Sequence, residues 1–138
     1  MTDEEKEVAK ANESFYSAFE GLDIKQMESV WAKDADIQCG HPGWRILRGW
    51  NPVMESWRRI FESTLEMRFT LTDTSVETNG DLAWVVVTEN IDSRHRDGTV
   101  TAQVQATNVF ERRAGRWFVV HHHGSPVLGP PAATEQMQ

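Results

Sequence analysis

Apolar residues recur every three or four positions through the first part of the chain, then every second position. Val8, Ala11, Phe15, Phe19 and Leu22 form one stripe at the spacing of an amphipathic helix. Thr2 with Glu5 three residues on predicts a capping box, since each side chain can accept from a first-turn N–H that the helix leaves free. Asp23 with Gln26 caps a second helix, which turns Ile24, Met27 and Trp31 inward and stops near Lys33. A third begins at Asn51-Pro52, where a missing amide costs nothing. It buries Met54, Trp57, Ile60 and Phe61, and Trp50 and Trp57 at helical spacing read as core. From Leu65 the period falls to two: Met67, Phe69 and Leu71 alternate with Arg68, Thr70 and Thr72.

Asn79-Gly80, Asp97-Gly98 and Ala114-Gly115 then mark three hairpin turns. They separate four stretches each longer than about 10 residues, above the usual strand length. Strands of that length in a small sheet twist and curl. LAWVVV (82–87) and WFVV (117–120) are apolar at both parities, so both faces of the sheet need cover. The helices supply it on the concave side, and a second copy of the same sheet would supply it on the convex side. A homodimer through the convex sheet face is the expectation. Residues 1–128 read as a single domain, and 129–138, rich in proline and alanine, as a flexible C-terminal tail.

Charge narrows the partners. The 138 residues carry a net charge of −7, with basic residues in no stripe, so neither nucleic acid nor an anionic membrane is an expected partner. Cys39 is the only cysteine, which excludes an intrachain disulfide and suits a reducing compartment. No window approaches the roughly 20 apolar residues of a membrane span, and the acidic N-terminus lacks a signal-peptide pattern. A soluble cytoplasmic protein is expected.

The order helix, helix, short strand, helix, curled meander, together with DIKQMESVWAKDADI (23–37) and RRAGRWFVVHHHGS (112–125), resembles the nuclear-transport-factor-2-like superfamily, and within it the SnoaL-like branch. Arg112, Arg113, Gly115, Trp117, Val120, His121, His123 and Ser125 are also similar in spacing to the end of the calcium/calmodulin-dependent protein kinase II association domain. The resemblance implies fold more than activity, because the superfamily hosts isomerases, dehydratases, cyclases and association domains. The tyrosine and aspartate of its steroid isomerases fall on Phe15 and Cys39, and a third acid falls near Asn108. Tyr16, about 100° around the helix from Phe15, should point elsewhere. The pocket arginines of the kinase association domain fall on Val86, Asn108 and Gly124.

The run His121-His122-His123 closes the last strand. Alternation puts His121 and His123 with Trp117 and Val119, and His122 with Phe118 and Val120. The resemblance turns Gly124 into the pocket, and parity then turns His122 there too. His121 and His123 fit either interface hydrogen bonding or the start of a metal site that still needs a third ligand. His122 fits either proton transfer near neutral pH or a satisfied buried histidine. CGHPGW (39–44) forces a turn presenting His41 and Trp44, as a ligand lip or with Trp44 plugging the core. Parity with Val86 turns Asn90 inward and leaves Glu89 outside, unless a bulge swaps them, which would make Glu89 a credible base. Cys39 reads as a small buried filler.

Together these readings predict a cone-shaped α+β fold of cystatin-like architecture, three N-terminal helices packed on a strongly curved antiparallel sheet. It would enclose a mostly apolar pocket for a small hydrophobic organic molecule. Phe15, Val86, Phe110 and Val120 would line the pocket, Asn108 and His122 would be its polar contacts, and His41 and Trp44 would stand at its entrance. As an enzyme it would run an isomerase, lyase or cyclase step without a cofactor or metal, with His122 as acid/base and Asn108 as oxyanion donor. A non-catalytic dimerisation or association module with a vestigial pocket is the other reading.

Overall fold

The computed structural model describes residues 1–33 and 35–128; the expected tail lies outside them. Helix α1 (Asp3–Glu20) starts at Thr2 with the capping box complete: the Glu5 amide donates to Thr2 Oγ1 at 3.1 Å and the Thr2 amide to Glu5 Oε1 at 2.8 Å. Asp23 caps α2 (Ile24–Val30) by accepting from the Lys25 and Gln26 amides. That helix ends three residues before the expected Lys33. Trp31 is already extended and bridges Val119, and the Ala32 amide donates to the Val119 carbonyl at 3.0 Å. Pairing with the sheet outweighs one more helical turn. Helix α3 (Trp50–Ser63) begins one residue before the expected Asn51, after Gly49 at φ 91°, a left-handed conformation that glycine adopts without strain.

The strands are β1 (Gln38–Gly40), β2 (Leu47–Arg48), β3 (Glu66–Asn79), β4 (Leu82–His95), β5 (Gly98–Arg113) and β6 (Arg116–Pro126). They form one sheet in the order β2-β1-β6-β5-β4-β3, with the three helices packed on it. The sheet is mixed rather than antiparallel, because β1 enters from α2 and pairs parallel with β6. Among the described residues no helix is long and apolar enough to cross a membrane.

Two registers decide what faces the helices. The β4–β5 turn has two residues, so odd positions of β4 oppose even positions of β5: Ala83 with Phe110, Val85 with Asn108, Val87 with Ala106, Glu89 with Val104. Opposed residues share a face. Since Asn108 and Phe110 are buried, Val85, Val87 and Glu89 are buried with them. Val86, expected inward, instead opposes Thr107 on the outer face and is half-buried there. The expectation paired Val86 with Asn108 on one face, which no two-residue turn permits.

The second register changes within β6. Val119 opposes Phe110 but His121 opposes Val109, leaving Val120 as the extra residue of a bulge. Trp117 and Val119 before it, and His122 and Gly124 after it, are all buried. The expected alternation is corrected accordingly: His122 shares its face with Trp117 and Val119. Val120 is half-buried against the core rather than beside His122. A further bulge between Thr72 and Ser75, with Asp73 at φ 52°, bends β3.

Candidate functional site

Between α1 and the sheet lies a line of polar side chains inside an apolar core. Asn12 and Tyr16 come from α1, Glu89 from β4, Asn108 from β5 and His122 from β6, and all five are buried. Asn12 and Tyr16 flank the stripe of Val8, Phe15 and Phe19, which is wide enough to carry them inward. Tyr16 therefore does not point away from the core, as its angle from Phe15 alone suggested.

The hydrogen bonds run in one direction. The Asn108 amide nitrogen donates to Asn12 Oδ1 at 2.9 Å and to Tyr16 Oη at 3.2 Å, which uses both of its protons. Tyr16 Oη donates to Glu89 Oε2 at 2.5 Å. Asn108 Oδ1 is left to accept, and His122 Nδ1 lies 2.5 Å from it. The neutral His122 ring thus carries its proton on Nδ1 and its lone pair on Nε2. Donors pass in sequence from His122 through Asn108 and Tyr16 to the carboxyl of Glu89. Leaving any one group unpaired in such a place would cost about 1–3 kcal/mol.

Burial sets the charge states. It pushes the Glu89 carboxyl from 4.5 up to about 7, against the smaller lowering effect of the Tyr16 hydroxyl. Burial also drives the Tyr16 hydroxyl well above the usual phenol range, with the Glu89 charge adding to it. His122 is held well below the imidazole value of 6.5, first by burial and then by His41, His121 and His123. His122 is therefore a neutral base at pH 7, beside an acid poised to titrate there.

Aromatic rings enclose His122. Phe15 lies 5.0 Å away, Trp57 6.0 Å and His41 6.4 Å between ring centroids. Of the expected lining, Phe15 and Phe110 are fully buried here. Packed rings therefore surround His122. His41 is not a solvent-facing lip: it is buried between Trp44 at 4.9 Å and Trp57 at 4.7 Å. Ser56 Oγ, 2.9 Å from His41 Nε2, already donates its proton to the Val53 carbonyl, so His41 Nε2–H donates to it. Burial lowers His41 to about 4. Trp44 is 46% exposed and covers His41 without plugging the core. The indole N–H of Trp57, beside both histidines, has no hydrogen-bond partner among the described residues.

His121 and His123 leave the opposite face, their rings 6.4 Å apart, and His121 Nδ1 meets Gln38 Oε1 at 3.2 Å. Among the described residues no group of three or more His, Cys, Asp or Glu side chains gathers as a metal site. Cys39 is buried, and burial raises its thiol well above the ordinary value. Sequence reasoning turned Tyr16 away and left Glu89 outside unless a bulge swapped it with Asn90; both are buried, Glu89 with no bulge between β4 and β5. The two-residue turn of Arg96 and Asp97 was the available signal, because it ties Glu89 to the face of Asn108.

Comparison with known proteins agrees with this architecture. A curated relative, the F-box protein SKIP8 of Arabidopsis thaliana, is 27% identical over 121 residues. The chain spans about half the length of that relative, 50%, while 88% of the chain is covered. A candidate dehydratase of the NTF2-like family from Streptomyces avermitilis is 38% identical, with TM-score 0.86, covering 91% of this chain and 97% of its own. A candidate calcium/calmodulin-dependent protein kinase type II association domain from Thiobacillus denitrificans is 32% identical, with TM-score 0.75, covering 86% and 93%. The SnoaL-like domain profile matches residues 8–129, nearly the whole described chain. On that match, and on helices that cradle a buried polar line against a mixed sheet, the chain belongs to the SnoaL-like domain family.

Proposed function

We propose that the protein binds a small organic carbonyl or hydroxyl compound at His122 and moves a proton on it without a cofactor, as an isomerase or lyase. The directed hydrogen-bond line from His122 to Glu89 carries this reading. It holds one imidazole neutral, in one tautomer, with Nε2 as the only free base. His122 takes up the proton. Asn108 is a positioning residue rather than an oxyanion donor, since both its N–H groups are committed. The unpartnered Trp57 N–H is the donor that an oxygen of the ligand would meet. The carboxylate form of Glu89, already populated near pH 7, stabilises the imidazolium as it forms, through the hydrogen bonds of Tyr16 and Asn108. The ligand enters past Trp44, the part-exposed ring that lies against His41.

A thermal-shift screen of small hydrophobic metabolites tests the binding. A ligand at about 100 times its dissociation constant stabilises by roughly 2.7 kcal/mol. The hit is then incubated in deuterium oxide, where wild type exchanges its acidic C–H and His122→Ala does not. A His122→Ala variant that keeps both shift and exchange overturns the proposal.

A second reading, self-association, rests on the outer face. Trp84, 37% exposed, opposes Val109, which opposes His121, with Val86 beside them. We propose that a second copy covers this row, compatibly with the first reading, since the inner site and the outer row lie on opposite sides of one sheet.

A further inference from the structure

The fold gathers positive charge that the acidic composition hides. Arg113 and Arg116 flank the two-residue turn Ala114-Gly115 as directly opposed partners, so their side chains leave one face together. Like charges in that relation repel. Both arginines, with Lys33, line a cleft of about 440 Å³ whose apolar wall includes Trp31 and Phe118. Glu111 offsets Arg113 at 2.6 Å. Arg116 forms no ion pair among the described residues. Its guanidinium carbon lies 4.8 Å from the centroid of the Phe118 ring, a contact that leaves the N–H groups free to donate. A neighbouring cleft of about 630 Å³ shares Arg116 and adds Lys10, Ser14, Ser17 and Gln26, with Glu7 as its acid. Trp117 also lines it, and its buried indole N–H has no partner among the described residues.

We propose that this corner binds a phosphate monoester of a small organic molecule. A dianion with three outer oxygens offsets the opposed arginines and Lys33 together, whereas a single carboxylate would leave charge in excess. The flat guanidinium of Arg116 suits a two-point contact with phosphate. Concave clefts of these volumes suit a small ligand, and the larger one has polar walls for its organic part. The site lies outside the His122 cluster and stands whether or not that cluster is catalytic.

Nuclear magnetic resonance on the full chain tests it, with phenyl phosphate, inorganic phosphate and phenol as probes and the Ala114 and Gly115 amides as reporters. Phenyl phosphate is expected to shift them saturably, inorganic phosphate more weakly, and phenol not at all. Arg116→Gln is expected to weaken phenyl phosphate by about tenfold or more, the size of a lost charge-assisted contact. Arg68→Gln on β3 is expected to keep wild-type affinity, and an otherwise unchanged amide spectrum shows each variant folded. Shifts that never saturate, an Arg116→Gln variant that binds as wild type, or an Arg68→Gln variant weakened equally would overturn the site. Equal affinity for inorganic phosphate would overturn the organic ester.

Discussion

Glu89 is a carboxylic acid sealed between a helix and a sheet, and its protonation state belongs partly to the fold. With its folded value raised from 4.5 to about 7, the folded chain holds this proton more tightly than the unfolded one. Its stabilising share is full below pH 4.5 and is lost as pH rises through 7, on the order of 3 kcal/mol in all. His41 acts oppositely: lowered to about 4, it contributes fully above 6.5 and loses that share as pH falls through 4. The two oppose one another between 4.5 and 6.5, and His122, also lowered, acts in the same sense as His41, so wild type alone isolates neither. The difference between Glu89→Gln and wild type isolates Glu89, and it should move in the variant's favour by about 2 kcal/mol from pH 5 to pH 8. Chemical denaturation at both values measures it, and a difference that ignores pH contradicts the assignment. At this scale the sequence was half legible. His122, Asn108, Phe15 and Phe110, expected around a pocket, are all buried on the inner side. Tyr16 and Glu89 were missed, because a polar residue at the rim of a stripe looks the same from the sequence whether it faces water or core.

At the scale of elements, hydrophobic period and turn chemistry carried most of the fold. The capping box at Thr2, the Asp23 cap, the third helix and the three turns all lie at or within a residue or so of where the pattern puts them. What failed was parity along the strands. A two-residue turn determines which parity opposes which, and a bulge then reverses it, as Val120 does between Val119 and His121. No local composition marks Val120 as the extra residue; it lies between Val119, which Trp31 bridges, and His121, where pairing with β1 begins. The parallel pairing of β1 with β6 is equally invisible in a three-residue strand. Beyond the bulge, Gly124 lets β6 pass close to its neighbours. A Cβ there would stand 2.9 Å from Val104 Cγ1 and 3.3 Å from Pro42 Cγ. Gly124→Ala should therefore destabilise by about 1–3 kcal/mol, read from the denaturant midpoint. An unchanged midpoint would show that strand and loop are not in contact as described.

For the whole molecule, the sheet has two faces with different work. The inner face holds the polar line under the helices, and the outer row of Trp84, Val109 and His121 is proposed to meet a second copy. Sedimentation equilibrium of wild type should give twice the 15.8 kDa chain mass. Trp84→Glu should give a single chain with the fold intact, because that residue projects away from the core. A wild-type monomer at all concentrations refutes the outer contact and leaves the inner site untouched. That inner site rests on one claim, a His122 ring locked by Asn108 with its lone pair on Nε2. Long-range proton–nitrogen correlation of that ring tests it most directly. The expected result is a protonated Nδ1 and a bare Nε2, unchanged as pH falls through 6.5. A proton on Nε2, or a ring that titrates at the ordinary imidazole value, would contradict it.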